Sequence, residues 1–224
     1  SAQVQAITQD QIGSLTSAQI RALETADLAL LNSAQLAGLQ LSQVSALTTA
    51  QIVALTTEQI QDLSIDQIQA LTQAQVAALE IADIQALTTA QVAGMEADDV
   101  AALTSAQLVA LTSDQVQVLT AEQIQAMSKT QLSQLETADL ALLNTVQIRA
   151  IDTADISGLT TAQIVALTTE QVAALTTGQI QALTTAQFQA MEVADLAALT
   201  TAQIRAIETR DIAVLSTAQI VALT

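Results

Sequence analysis

Apolar residues recur along the whole chain with a period of eight residues. The 224 residues divide into 28 aligned octapeptides with none left over, and the common form is T-A-Q-I-x-A-L-T. Position 4 is Ile, Val or Leu in every copy except Phe188, and position 7 is always Leu, Ile or Met. A spacing of three residues places these two positions on one face of a helix. Position 5 varies freely, so we expect it to face solvent.

The polar residues of each octapeptide indicate where its helix begins. A Thr at position 8 is followed three residues later by a Gln at position 3, as in Thr56 and Gln59. This is the spacing of a capping box, in which the hydroxyl accepts from the third helical amide and the Gln side chain accepts from the amide of the cap residue. A capping box every eight residues predicts a new helix of five or six residues in every octapeptide.

The predicted fold is an all-α solenoid of 28 short capped helices. A helix of this length is not stable alone, so its stability has to come from stacking on its neighbours. The small residue at position 6, Ala or Gly in 21 of the 28 copies, would let neighbouring helices approach closely. A β-solenoid is the alternative because Thr, Ile and Val suit strands, and long helices are the other possibility.

A second, longer period lies above the first. Octapeptides seven apart resemble each other more than adjacent ones, so the single array groups as residues 1–56, 57–112, 113–168 and 169–224. Seven is odd, which favours a simple superhelix over stacked hairpins of two octapeptides. The period is either a whole number of superhelical turns or the unit that was last duplicated. Polar end repeats are absent, so we expect a segment of a longer array.

Composition and charge exclude several classes of function. The net charge is −17, from 5 basic and 22 acidic residues, and nucleic-acid binding needs a basic surface. Polar residues interrupt every octapeptide, so we expect no membrane insertion. The chain has no Cys, His, Trp or Tyr, and therefore no disulfide, no thiolate metal site and no activated nucleophile. We expect no enzymatic activity and no small-molecule substrate.

Acidic residues replace the capping box as pairs. Position 3 is Asp in seven octapeptides, and in all seven the preceding position 8 is also acidic. The pairs are Glu24 and Asp27, Glu80 and Asp83, Glu96 and Asp99, Glu136 and Asp139, Asp152 and Asp155, Glu192 and Asp195, and Glu208 and Asp211. Carboxylates at helix N-termini are favoured by the free amides and the macrodipole. They are also oxygen ligands of the kind that Ca²⁺ takes, so calcium is the one candidate cofactor.

The remaining residues of note have structural interpretations. We expect Phe188 to occupy the ordinary core place of position 4 and Lys129 to be solvated. The arginines are expected to pair with nearby acids, such as Arg205 with Glu208. Ordered Thr rows could bind ice, and the acidic surface could bind a protein partner.

The run A-L-T-T-A-Q, seen at Ala182 to Gln187, resembles octapeptide-repeat stretches in very large bacterial secreted and surface proteins of adhesin type. The resemblance covers the whole chain and implies an extended stalk or fibre outside the cell. We therefore predict a structural protein, a stalk or a self-assembling extracellular filament. Self-association end to end or laterally is expected, because solenoid ends expose apolar faces.

Overall fold

All regular secondary structure is helical in the computed structural model, which describes residues 2–223. This part of the chain contains 27 α-helices of four to six residues, one 3₁₀ helix and no strand. The prediction of an all-α solenoid is confirmed, and the β-solenoid is not supported. No helix is longer than six residues in the described chain, so the alternative of long helices is wrong.

Each octapeptide contributes one helix, and the bounds follow the repeat. The α-helices are Ala2–Gln5, Gln9–Gly13, Ser17–Arg21, Thr25–Leu28, Ser33–Ala37, Leu41–Val44, Thr49–Val53, Thr57–Asp62, Ile65–Gln69, Gln73–Val76, Ile81–Ala86, Thr89–Gly94, Ala97–Ala102, Ser105–Val109, Ser113–Gln117, Ala121–Ala126, Lys129–Gln134, Thr137–Leu142, Thr145–Ala150, Thr161–Ala166, Thr169–Ala174, Thr177–Ala182, Thr185–Ala190, Val193–Ala197, Thr201–Ala206, Thr209–Ile212 and Thr217–Ala222. The 3₁₀ helix is Ile156–Gly158.

The helices begin and end through extended backbone at positions 7 and 8. Thr56, for example, has φ −79° and ψ 159° before the helix Thr57–Asp62, and Leu63 after it has φ −64° and ψ 135°. No residue in the described chain has a positive φ. The helices therefore end without the left-handed turn that usually calls for glycine, which accounts for a chain with only five Gly.

Positions 4 and 7 form the core, as the periodicity predicts. Position 4 is buried from Val4 to Leu196, and position 7 is buried from Leu31 to Ile207. Phe188 is fully buried in the position-4 series, as expected. Position 5 faces solvent: the Val residues found there in every seventh octapeptide are 42% to 64% exposed, namely Val53, Val109, Val165 and Val221.

The chain forms two compact units, Ser1–Val118 and Leu119–Thr224, and within each unit it coils as a solenoid. Helices three octapeptides apart pack together, as Thr57–Asp62 does with Ile81–Ala86 in the first unit. Thr161–Ala166 packs with Thr185–Ala190 in the second. This pattern is that of a simple coil and not of hairpins built from adjacent octapeptides.

Small residues at position 6 allow close packing between coils. A Cβ atom added at Gly38 would lie 2.6 Å from the carbonyl oxygen of Gln9 and 3.1 Å from Cγ2 of Ile12. Position 6 is therefore a place where one coil meets the backbone of the coil before it, as predicted.

Candidate functional site

The predicted capping boxes are present, and they define the most regular polar feature of the molecule. The backbone N–H of Thr56 donates to Oε1 of Gln59 over 2.9 Å, and the N–H of Gln59 donates to Oγ1 of Thr56 over 3.2 Å. The same reciprocal pair recurs with Ser64 and Gln67. Each pair satisfies two of the amides that a helix N-terminus leaves without partners.

The position-3 Gln has a second function that the capping box does not reveal. Its Oε1 accepts from its own helix, and its Nε2 donates to two backbone carbonyls of the preceding coil. For Gln59 these are the carbonyls of Leu28, at 3.0 Å, and Leu31, at 2.8 Å. The two acceptors occupy positions 4 and 7 of their octapeptide. The helix of Gln59 packs on a helix three octapeptides back and its Gln reaches the octapeptide four back, so one coil takes between three and four octapeptides.

This bond pair recurs through both units, and we call it the glutamine ladder. Both carbonyl contacts, at sequence separations of 31 and 28, are made by Gln35, Gln43, Gln51, Gln59, Gln67, Gln75, Gln91, Gln107, Gln115, Gln163, Gln171, Gln179, Gln187, Gln203 and Gln219. All of these side chains are buried. A buried amide is stable there because both of its ends are hydrogen-bonded.

The sequence pattern explains the Gln by the capping box alone and misses the ladder. One signal could have revealed it. A capping box accepts Glu as readily as Gln, yet position 3 is never Glu, while Glu does occur at position 2 in Glu58, Glu122 and Glu170. Glu has no amide to donate to a carbonyl. Its absence from position 3 favours an Nε2 donor at this position, which the seven octapeptides with Asp lack.

In the six acidic pairs that contain a Glu, the two members differ in burial. The six glutamates at position 8 are exposed, and five of the seven position-3 aspartates are buried: Asp83, Asp99, Asp139, Asp195 and Asp211. Asp27, Asp152 and Asp155 are half-buried. Within the described residues no three acidic side chains meet as a group that could hold a metal ion. Calcium binding by the pairs stays a prediction.

Most of the acidic pairs do not reproduce the Thr and Gln capping box, and the pair of Glu80 and Asp83 is the one that keeps it among the described residues. The side chains of Glu24, Glu96, Glu136, Glu192 and Glu208 make no cap hydrogen bond. The closing bond from the other direction is present where the N–H of Glu80 donates to Oδ2 of Asp83 over 3.1 Å. A Glu at position 8 is thus a solvent-exposed charge near the helix N-terminus, and the Asp carries the buried part of the pair.

The pair Asp152 and Asp155 lies at the start of the one irregular octapeptide of the described chain, residues 153–160, with Asp152 directly before it. Oδ1 of Asp152 accepts from the N–H of Ala154 over 2.8 Å, and the chain continues as the 3₁₀ helix Ile156–Gly158. Lys129, which is exposed as expected, lies against Gly158. A Cβ atom at Gly158 would collide with Lys129, so the small residue here makes room for that side chain.

Burial raises the pKa of three position-3 aspartates. Desolvation is the main cause at Asp83, Asp99 and Asp195, and the nearby glutamate at position 8 adds to it in each case. The pKa of Asp99 rises to about 6, because desolvation, the charge of Glu96 and the charge of Asp98 all raise it, while a hydrogen bond from the Glu96 backbone opposes them as the smallest of the four contributions. At Asp83 and Asp195 hydrogen bonds received by the carboxylate oppose the rise in pKa.

Three buried carboxylate oxygens have no hydrogen-bond partner, and they are Oδ2 of Asp99, Asp195 and Asp211. The other oxygen of Asp195 accepts from Oγ1 of Thr169 over 3.0 Å, and that of Asp211 accepts from Oγ1 of Thr185 over 2.9 Å. Each Thr belongs to the preceding coil. The corresponding residue for Asp99 is Gln73, and it lines a cavity of about 460 Å³ together with Leu71, Glu96, Asp98 and Asp99.

The arginines follow the prediction in part. Arg210 pairs with a nearby acid as expected, since it lies 2.9 Å from Glu208, the acid that the sequence assigns to Arg205. Arg210 also lies 3.6 Å from Oδ2 of Asp211. Arg21 donates through Nε to the carbonyl of Ala46 over 3.1 Å. It therefore binds backbone of the next coil, where the sequence predicts an acidic partner.

Comparison with known proteins identifies the repeat. The family model described as ALTTAQ repeat matches residues 20–57, 76–113, 92–129, 132–169, 150–185, 165–193 and 188–224, which together cover most of the chain. No curated protein matches the chain. No helix of the described residues is both long enough and apolar enough to cross a bilayer.

Proposed function

Since the chain belongs to the ALTTAQ repeat family, we propose that it is a structural protein, a segment of an extended stalk or of a self-assembling filament outside the cell. The glutamine ladder is the observation that best supports this proposal. Within each unit, coil binds to preceding coil through the same two backbone carbonyls. A stack held in this way has no preferred length, because each added coil meets the same acceptors as the last.

The amides of the first coil indicate how the stack would extend. Gln11 and Gln19 are exposed, whereas the position-3 Gln residues of later coils are buried against a preceding coil. Further octapeptides of a longer chain, or a second copy of this one, would supply the carbonyls that these amides need. Self-association end to end is therefore part of the proposal.

The net charge and the residue composition favour a structural protein over an enzyme. A net charge of −17 keeps such filaments soluble and spaced apart. The chain contains no His or Cys, and its carboxylates repeat on a regular scaffold where a catalytic site would need one shaped pocket. The extracellular location rests on the resemblance to bacterial secreted and surface proteins of adhesin type.

Electron microscopy of the negatively stained protein tests the proposal. Fibres much longer than one molecule support the filament. Discrete rods that lengthen by a constant increment when one more copy of the seven-octapeptide unit is added support the stalk. Rounded particles whose longest dimension does not change with added units would contradict both.

Cation binding is the second candidate function, and the Oδ2 atoms of Asp99 and Asp195, which have no hydrogen-bond partner, favour it. Ca²⁺ takes carboxylate and carbonyl oxygens, and both kinds of oxygen occur near these aspartates. If calcium binds, millimolar calcium raises the melting temperature above that in chelator, because a ligand of the folded state stabilises it. Identical melting curves in calcium and in chelator would eliminate this candidate.

A further inference from the structure

Each position-3 Asp interrupts the glutamine ladder at a defined place. In the register of the ladder, the carbonyls that correspond to Asp99 are those of Ile68 and Leu71, at positions 4 and 7 of the preceding coil, and Leu71 lines the same cavity as Asp99. The Ile68 carbonyl accepts from the N–H of Leu71 over 3.1 Å. Among the described residues no donor reaches the Leu71 carbonyl. In the other coils a Gln amide fills this role, and an ionised carboxylate has no hydrogen to donate.

Asp99 is the most isolated of the buried aspartates. It is 4% exposed, and its Oδ2 has no partner. Asp195 and Asp211 each accept a hydrogen bond from a Thr of the preceding coil. At Asp99 the equivalent residue is Gln73. A buried ionised carboxylate beside a carbonyl oxygen without a donor brings two acceptors together, which is unfavourable in a low-dielectric interior.

We propose that Asp99 is a proton-binding joint between coils, and that its carboxyl group, once protonated on Oδ2, donates to the carbonyl of Leu71 in place of the missing Gln amide. The proton comes from solvent and adds to the carboxylate, and no other bond breaks. Asp195 and the carbonyl of Leu167, which stands where Leu71 stands for Asp99, form a second joint of the same kind. Each joint lies within a single compact unit.

The charges around Asp99 favour the neutral carboxyl. Glu96 and Asp98 beside it in the chain are negative, and both raise its pKa. The packed helix Gln73–Val76 has no charged residue, and Asp66 on the helix Ile65–Gln69 is acidic as well. Asp195 faces Glu192 and, on the packed helix Thr169–Ala174, Glu170. Asp211 is left out because the guanidinium of Arg210 lies 3.6 Å from its Oδ2.

Folding stability depends on pH because the folded and unfolded states bind this proton with different affinity. The pKa of Asp99 is about 6 in the folded chain, against an ordinary value of 3.8. The folded state therefore binds the proton more tightly than the unfolded state between these two values. Stability falls as the pH rises from about 4 to about 6, by at most tenfold in the unfolding equilibrium constant per pH unit for each such aspartate.

Urea unfolding of Asp99→Asn tests the joint, because Asn has nearly the shape of the neutral carboxyl and donates at every pH. Wild type, D99N and the control D114N, which changes an exposed Asp at position 2, are compared at about pH 4.5 and about pH 7.5 in chelator. We expect D99N to exceed wild type at the higher pH by tenfold or more in the folding equilibrium constant, and to match it at the lower pH. D114N should show no such divergence.

A difference between D99N and wild type that is the same at both pH values would overturn the proposal. D99Q guards against a poorly packed Asn, because Gln occupies position 3 in 21 octapeptides. It should restore the ladder and show the same divergence. Calcium is then added at the higher pH. If calcium raises the folding equilibrium constant of wild type to that of D99N and leaves that of D99N unchanged, a cation and not a proton occupies this joint, and the proposal fails.

Discussion

At the scale of the residue, one amide side chain joins local and long-range structure. Oε1 of Gln59 fixes the start of its own helix, and Nε2 fixes the distance to the preceding coil. A Leu or Met could fill the same volume but would leave the cap amide and two carbonyls without partners. The buried Gln therefore determines the register in which coils meet, which apolar packing of Ile against Leu does not determine by itself.

Replacing Gln59 by Met tests this function with little change of volume. The variant should lose about 1 to 3 kcal/mol of unfolding free energy, since it leaves buried backbone groups unsatisfied. Gln85→Met is the matched control, because Gln85 is exposed at position 5 and its replacement should change stability by less than about 0.5 kcal/mol. Equal effects of the two substitutions in urea unfolding would show that the ladder contributes nothing specific.

The sequence predicts half of what this residue does. The Thr and Gln spacing predicts the capping box because both partners lie within one stretch of four residues. The carbonyl acceptors Leu28 and Leu31 lie a whole coil away, and periodicity alone does not say which coil lies behind a given helix. For the same reason the sequence presents each acidic pair as one shared site at a helix N-terminus. Burial, which depends on the preceding coil, separates Asp99 from Glu96.

At the scale of the element, the helices are too short to be stable without their neighbours. Their starting points and their buried positions follow from the octapeptide alone, and these predictions are confirmed. Their length is predicted less well, because five of the described α-helices have four residues where the pattern predicts five or six. The irregular octapeptide around Ile156–Gly158 was not predicted. It depends on the Asp152 side chain bonding to the amide of Ala154 and on Lys129 lying across Gly158.

Two glycine substitutions of opposite sign test the packing between helices. Gly38→Ala should destabilise the protein by about 1 to 3 kcal/mol, because its Cβ would lie 2.6 Å from the backbone carbonyl oxygen of Gln9, which cannot move aside as a side chain can. Gly178→Ala should stabilise it by about 0.5 to 1 kcal/mol, because its nearest neighbour would be at 3.5 Å and Ala favours the helix. Thermal melts measure both, and a stabilising Gly38→Ala would mean that position 6 is not a close contact.

At the scale of the whole molecule, the sequence separation of 28 between a ladder Gln and its second acceptor is half of the longer sequence period, which is seven octapeptides. Two coils of three and a half octapeptides would match this period, since one coil takes between three and four octapeptides. Residues one such period apart, such as Val53 and Val109, would then recur at the same place in the first unit. This correspondence gives the longer period a geometric meaning, while its origin by duplication stays equally compatible with the sequence.

The acceptors of the ladder affect how easily the number of repeats in the gene can change. They are main-chain carbonyls, present in every octapeptide whatever side chains it carries, so the ladder bonds are the same whichever coil lies behind. Unequal recombination between near-identical stretches of the gene would delete or add coils without breaking the ladder. We therefore expect natural variants of such a protein to differ in repeat number more readily than in the residues at positions 3, 4 and 7.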